Sequence, residues 1–375
     1  MDHILFGFTI AFIVTFYAIP VIIRVADIKK LYDEPDERKI HTSPIPSLGG
    51  LGIYAGFLLA ILIASPEQSS ELQYYIAASF VIFFLGLKDD ILVLSPLKKF
   101  LGQLLAAFII IYKGGIQITS MHGFMGVNQL PEFFSLALTY FTVIVVINSF
   151  NLIDGVDGLA GSLGFFTSAA FGVFFLVNNQ IVLAVMGIGL AGALAAFLIF
   201  NYSPAKIFMG DTGAMLIGLV NSILVIKFIN TSGDPNVLYP LTAEPAIGFA
   251  ILMVPLFDTL RVFGIRILYR RSPFSPDRNH IHHLLLDRGL SHKMVTFTIV
   301  SANIIFAAVA YTFRSAGSTW LIFGLVSTGF SIISILFYTK PRTKLFATTD
   351  EVAETHQKKT KVIPFASPKV AANDE

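Results

Sequence analysis

Long apolar stretches recur along this chain, and its polar residues are confined to the gaps between them. Eleven runs stand out: residues 4–23, 48–64, 72–87, 100–112, 133–147, 159–177, 181–200, 214–229, 246–263, 295–313 and 320–338. Crossing the hydrocarbon core takes about 20 apolar residues in helical form, because a helix satisfies its own backbone polar groups there. The pattern predicts an all-α polytopic membrane protein of about eleven transmembrane helices. Several runs are short for a span, 100–112 most of all. The first run has no basic segment before it, so it reads as a retained span and not as a cleaved signal peptide.

Two further features of the pattern matter. Gly52 and Gly56 form a small-xxx-small pair in the second run, which predicts close packing on a neighbouring helix. From residue 340 onwards the chain mixes Thr, Lys, Glu, Ala and Pro with few large apolar residues, the composition of a disordered tail. Residues 1–339 are therefore expected to form the membrane-embedded domain, and 340–375 a cytoplasmic extension. The absence of a visible internal repeat argues against an inverted-repeat transporter.

Composition agrees with the pattern. The 375 residues are 55% hydrophobic and 13% charged, against roughly 25% charged in a soluble domain. The net charge of +2 says less than its placement. If successive gaps alternate sides, one side collects 23 Lys and Arg while the other holds only Lys113 and Arg314, and Lys227 falls inside the eighth run. The positive-inside rule then places the N-terminus outside and the C-terminus in the cytoplasm. No cysteine is present, which excludes disulfides and thiolate metal sites.

On the side assigned to the cytoplasm, four gaps carry chemistry. "LGLKDDILVL" brings adjacent Asp89 and Asp90. "NSFNLIDGVDGLAG" brings Asn148, Asn151, Asp154 and Asp157, and "KIFMGDTGAM" brings Lys206 and Asp211. "RSPFSPDRNHIHHLLLDRGLSH" brings Arg278, His280, His282 and His283. Asp154 and Asp211 each precede an apolar run and could be helix caps. Asp89 and Asp90 repel one another near lipid unless a cation neutralises them, and carboxylates without cysteine suit Mg²⁺ or Mn²⁺. The histidines are spaced i, i+2, i+3, not the spacing of a helical zinc pair. With Arg270, Arg271 and Arg278 nearby, hydrogen bonding to an anionic ligand is expected of them. Asp154 and Asp157 would share a face if the sixth helix began there, and Gly155 and Gly158 would let a ligand approach the backbone.

These motifs together resemble the polyprenyl-phosphate N-acetylhexosamine-1-phosphate transferases. The match is nearest to the bacterial undecaprenyl-phosphate N-acetylglucosaminyl 1-phosphate transferases that start O-antigen, enterobacterial common antigen or teichoic acid assembly. "DEPDERKIHTSPIPSLGG", "LKDD", "NSFNLIDGVDGL", "FMGDTG", "PLFD" and "SPFSPDRNHIHHL" occur in the order of that family and cover nearly all of residues 1–340. The resemblance implies a helical membrane fold, dependence on Mg²⁺, and transfer of a sugar 1-phosphate from a UDP-sugar to a polyprenyl phosphate with release of UMP. "HIHH" is similar to the branch that uses UDP-N-acetylglucosamine. By the same resemblance Asp89, Asp90, Asp154 and Asp157 would be catalytic, and Asp211 with Asp90 would hold the metal. Lys39, His41, Asn151, Arg278, His280, His282 and His283 would bind substrate. The implied setting is the bacterial inner membrane, with the site on its cytoplasmic face. Nothing points to nucleic acid, and the number of copies that assemble is open.

Two other classes are weighed. An ion-coupled transporter would place acidic residues at mid-membrane on broken helices, whereas here most lie at the ends of runs, with Asp258 the partial exception. A CDP-alcohol phosphotransferase would carry a DG-x₂-AR signature, which is absent. For the transferase, a phosphate monoester with a second pKa near 6 is already mostly dianionic at neutral pH. Charge neutralisation and positioning are thus expected to matter more than a general base.

Overall fold

In a computed structural model, residues 2–31, 45–66, 70–234, 236–270, 272 and 279–339 are described. Lys39, His41, Arg278 and the tail from residue 340 lie outside them. The described helices are α1 (Asp2–Lys29), α2 (Gly49–Ala64), α3 (Leu72–Ile91), α4 (Pro96–Tyr112), α5 (Glu132–Ile153), α6 (Leu159–Val177), α7 (Ile181–Asn201) and α8 (Gly210–Ser232). They continue with α9 (Glu244–Ile251), α10 (Met253–Leu268), α11 (Ile281–Leu286), α12 (His292–Thr312) and α13 (Ser318–Tyr338). Each apolar run coincides with one of these helices or, for the ninth, with the pair α9 and α10. Among the described residues seven helices are long and apolar enough to cross a membrane, or eight if the bent α9–α10 pair is one span. The chain is thus a multi-pass helical membrane protein. The helices are joined by one element the apolar pattern does not announce, an antiparallel hairpin of β1 (Ser120–Phe124) and β2 (Val127–Gln129). Its turn uses Met125 and Gly126, both at positive φ, as two-residue hairpin turns require.

Helix α8 is the central column. It is almost wholly buried, whereas α1, α12 and α13 leave most of their surface outward, and it packs against α2, α3, α5, α6, α7 and α9. Close crossings make this packing work, because apolar helices in lipid associate through van der Waals fit more than through the hydrophobic effect. Gly86 of α3 faces the Thr212 backbone of α8 so closely that any Cβ there would collide with it. The Gly52 and Gly56 pair does what its spacing predicts: Gly52 lies against Ile19, Gly56 against Thr15 and the Ala11 carbonyl, and Thr15 Oγ1 donates to the Gly52 carbonyl at 3.0 Å. Lys227, charged within α8, donates to Glu71 Oε2 at 2.7 Å, and the Tyr75 hydroxyl donates to the same oxygen at 2.7 Å.

The ninth run is not one straight helix. α9 and α10 meet at Leu252 with a bend of 85°. Pro255 explains it, since proline offers no N–H to the carbonyl four residues back, which here belongs to Ile251. Asn303 of α12 supplies the missing donor: its Nδ2 donates to the Ile251 carbonyl at 2.8 Å, and its Oδ1 accepts from Val254 N at 2.9 Å. The side chain is fully buried. One amide thereby stitches both broken backbone groups and turns α10 towards the loop that carries the histidines.

Candidate active site

Helix ends from four parts of the chain meet at one end of the bundle. α3 ends in Asp89 and Asp90, α4 begins near Lys99, α5 runs out into Asp154, and α8 starts at Gly210. Asp90 ties the first of these to the last. Asp211 N donates to Asp90 Oδ1 at 2.7 Å, and Thr212 donates to Oδ2 from its N at 3.1 Å and its Oγ1 at 2.5 Å. A carboxylate at a helix N-terminus satisfies otherwise unpaired N–H groups and complements the helix dipole. This arrangement demands Gly210, which has φ +72°, and a Cβ there would lie 2.7 Å from Asp90 Oδ1. Asp90, one of the two expected metal ligands, thus accepts hydrogen bonds from the start of α8 and holds Asp211 in place.

Asp211 itself faces Lys99, which donates to its Oδ2 at 2.6 Å and also pairs with Asp89. Asn151 hydrogen-bonds the same Asp211 carboxylate, and Asp89 Oδ1 accepts from Leu94 N at 2.7 Å. Sequence reasoning passed over Lys99 as one more basic residue in a gap. Only the packing of α4 beside α3, together with the α3–α8 crossing, shows that its ammonium lies between two carboxylates.

Asp154 adds a fourth acid. Loss of hydration, and then the charges of Asp211, Asp90 and Asp157, push its carboxyl up to about 7. Asp89 and Asp211 share the Lys99 ammonium while Asp90 and Asp154 add their charge beside Asp211, which is the electrostatic setting of a cation site. The donor set is hard oxygen throughout and fits Mg²⁺ or Mn²⁺ by its chemistry, with Lys99 marking where positive charge is held. Among the described residues no group of three or more acidic or histidine side chains is already arranged to hold a metal.

Asp157 differs from its neighbour. Helix α6 starts only at Leu159, after Gly158 at φ +74°, so Asp154 and Asp157 do not share a helix face and have different partners. Asp157 is buried; its Oδ2 accepts from Ala205 N at 3.3 Å, His292 Nδ1 lies 3.3 Å from its Oδ1, and its carbonyl accepts from Thr296 Oγ1 at 2.9 Å. It pins the loop to α12 and to the segment before α8. Lys206 is exposed. Asn148 donates to Gln103 Oε1 at 2.8 Å, linking α5 to α4.

The histidines reach the same loop from α10. His280 Nδ1 lies 2.8 Å from Asp258 Oδ2, while Asp258 Oδ1 accepts from Arg261 Nη2 at 2.8 Å and from Ile281 N at 3.1 Å. Arg261 also donates to the Asn279 carbonyl. The one acid that stood apart in the transporter comparison is thus the orienting partner of His280. His282 lies over Gly155, where a Cβ would be only 2.5 Å from its Nε2. Burial, and then His283, push the His282 imidazole down to about 3, so it is a neutral ring at physiological pH. The rings of His282 and His283 have centroids 4.3 Å apart.

Comparison with known proteins supplies independent findings. Residues 72–229, from the start of α3 to the last turn of α8, match the family model described as glycosyl transferase family 4. The chain is 32% identical over 330 residues to the "probable undecaprenyl-phosphate N-acetylglucosaminyl 1-phosphate transferase" of Bacillus subtilis (strain 168), covering 86% of this chain and 88% of that protein. It is 34% identical over 319 residues to the "decaprenyl-phosphate N-acetylglucosaminephosphotransferase" of Mycobacterium leprae (strain TN), covering 79% of each. Against the "undecaprenyl-phosphate alpha-N-acetylglucosaminyl 1-phosphate transferase" of Escherichia coli (strain K12) the identity is 31% over 293 residues, covering 76% of this chain and 77% of that one. The family-model match runs through the carboxylate segments that end α3, follow α5 and begin α8.

Proposed function

As the chain belongs to glycosyl transferase family 4, we propose that it transfers N-acetylglucosamine 1-phosphate from UDP-N-acetylglucosamine to undecaprenyl phosphate, releasing UMP. The reaction would be the first membrane step of a cell-surface polysaccharide, carried out at the cytoplasmic face of the bacterial inner membrane. The observation that carries this reading is the meeting of Asp89 and Asp211 on Lys99, with Asp90 and Asp154 beside Asp211 and with His280 oriented by Asp258. That grouping is what two anionic phosphates need if they are to be brought together.

The chemistry is a direct in-line displacement. An oxygen of the lipid phosphate forms a bond to the sugar-bearing β-phosphorus, the bond from that phosphorus to the bridging oxygen breaks, and UMP leaves with the electron pair. Asp211, with Asp154 beside it, would hold Mg²⁺, whose contribution is to neutralise charge on the diphosphate. Asp90 fixes the start of α8 so that Asp211 is held in register. Lys99 supplies positive charge within the carboxylate group. His280, oriented by Asp258, and neutral His282 offer ring nitrogens for hydrogen bonds to phosphate oxygens. Lys39, His41 and Arg278 belong to the same proposal as further phosphate or nucleotide contacts.

The prenyl tail would lie between α9–α10 and α13. An apolar groove of about 440 Å³ runs between α9–α10 and α13, lined by Phe249, Phe257, Leu260, Ile265, Phe330 and Ile333, with Arg261 at its edge. Arg261 also touches Asp258 and the segment before His280, so the groove leads towards the histidines.

An exchange assay tests the reading: purified protein, Mg²⁺, undecaprenyl phosphate and a panel of UDP-sugars, with UMP release as the readout. Release with UDP-N-acetylglucosamine is expected. Folded protein that releases no UMP with any sugar rejects the assignment.

A further inference from the structure

The turn that joins α3 to α4 has an unusual surface. α3 carries its helix one turn past the predicted inner end of its apolar run, to Ile91, and the chain then exposes Leu92, Val93 and Leu97 in close succession. Val93 is 96% exposed and Leu92 61%. Consecutive large apolar residues of this kind are unstable in water and mark a surface that something covers. Lys88 and Lys98, both exposed, flank the apolar residues on either side. Apolar residues edged by lysine are the pattern of a segment seated at the headgroup–acyl boundary of an anionic leaflet.

The turn is also wired to the site. Leu94 N donates to Asp89 Oδ1 at 2.7 Å, and Asp89 shares Lys99 with Asp211. A displacement of the turn therefore reaches the carboxylate group through one hydrogen bond.

We propose that residues 91–97 form a lip that rests in the interfacial layer of an anionic phospholipid leaflet and sets the depth at which Asp89 and Asp211 meet a lipid phosphate. Apolar side chains of Leu92, Val93 and Leu97 enter the boundary between headgroups and chains, while Lys88 and Lys98 contact lipid phosphates. The lip is thus a positioning surface whose partner is the bilayer itself. Its functional consequence rests on the transferase reading, and its location does not.

Single-tryptophan fluorescence of the full chain in nanodiscs tests the location. The chain has one tryptophan, Trp320, so V93W on a W320F background gives one reporter, and L92W is a second should V93W fail to fold. In discs of phosphatidylglycerol, loaded with one protein and no acceptor, the introduced indole should emit at shorter wavelength than in zwitterionic discs. Lipids brominated near the headgroup end of their chains should quench it. Water-like emission quenched by iodide in both disc types would overturn the proposal. So would a shift that appears only when undecaprenyl phosphate is added, which would make the acceptor the occupant, or only in discs with two copies, which would make the lip a protein interface. For the functional half, V93S in the same discs should raise KM for the polyprenyl acceptor about tenfold, the effect of losing about one buried apolar side chain, with KM for the nucleotide sugar unchanged. An unchanged acceptor KM would remove the positioning role. Absence of turnover in the unmodified chain would instead reject the transferase reading and leave the fluorescence result standing.

Discussion

Asp258 Oδ2 lies 2.8 Å from His280 Nδ1, although 22 residues separate them in the chain. The pair couples the bent α10 to the histidine segment, and both residues are buried. A carboxylate on one ring nitrogen fixes the ring's orientation and leaves the other nitrogen to face a ligand. Asp258→Asn should lower kcat about 10- to 100-fold, the usual effect of removing a partner that orients a functional histidine. A double-mutant cycle with His280→Asn checks the coupling: the double variant should be little worse than His280→Asn alone.

Lys99 holds Asp89 and Asp211 together through one ammonium. Lys99→Met should therefore lower thermal stability in EDTA and lower kcat. It should also reduce the Mg²⁺ concentration needed for half-maximal activity, because an ammonium no longer competes for the same oxygens. A magnesium titration of UMP release reads both effects, and Lys99→Arg should fall between the two proteins.

Asp90 and Asp211 should separate in a comparison of stability with activity. Asp90→Asn weakens the acceptor for three donors at the start of α8, so turnover should fall together with a stability loss of about 1–2 kcal/mol. Asp211→Asn removes a charge from a crowded carboxylate group and should abolish most turnover with little loss of stability. Thermal unfolding beside the exchange assay decides whether the two losses divide in this way.

The stitch at the α9–α10 bend makes a rescue prediction. Asn303→Ala leaves the Ile251 carbonyl and Val254 N–H unpaired in a buried place, at a cost of about 1–3 kcal/mol for each orphaned group. Adding Pro255→Ala should restore part of that stability, since residue 255 then has an N–H for the Ile251 carbonyl. The straightened helix should at the same time raise KM for the lipid acceptor. Unfolding midpoints of the single and double variants provide the check.

The carboxylate group also fixes a pH dependence. Asp154 titrates at about 7 in the folded chain, against an ordinary value of 3.8, so between those values the native state binds more protons than the unfolded one. Stability should then fall as pH rises from about 4 to about 7 in metal-free protein. Asp154→Asn should flatten the slope, and Mg²⁺ should stabilise most at the upper end of the range, where the carboxylate is ionised. Unfolding midpoints across pH, with Mg²⁺ and with EDTA, measure this.

Much of the architecture is legible in the sequence because lipid imposes one rule on every span: apolar outside and helical within. The boundaries 159–177 of α6 are those of its apolar run, whereas the ninth run is broken at Leu252 and continues past its predicted end to Leu268. The hairpin of Ser120–Gln129 was not visible in the apolar pattern, since its two short strands carry no long apolar run. The site was legible as a set of polar motifs gathered on one side, with Asp89, Asp90, Asn151, Asp154, Asp211, His280, His282 and His283 all brought into it or beside it.

By itself, the sequence determined that this is a multi-pass helical protein of this family and which polar residues stand at the ends of its spans. These properties follow from local hydropathy and from motif order, which need no knowledge of neighbours. Only the tertiary structure decided the division of labour among those residues: Asp90 as the support of α8, Asp157 as a buried pin, Asp258 as the partner of His280, and Lys99 as the cation between Asp89 and Asp211. A carboxylate's role depends on which donors surround it, and those of Asp90 arrive from a helix as much as 122 residues away. Helix crossings made close by residues such as Gly86 and Gly210 set that proximity, and it is not encoded in the local sequence of any one of them.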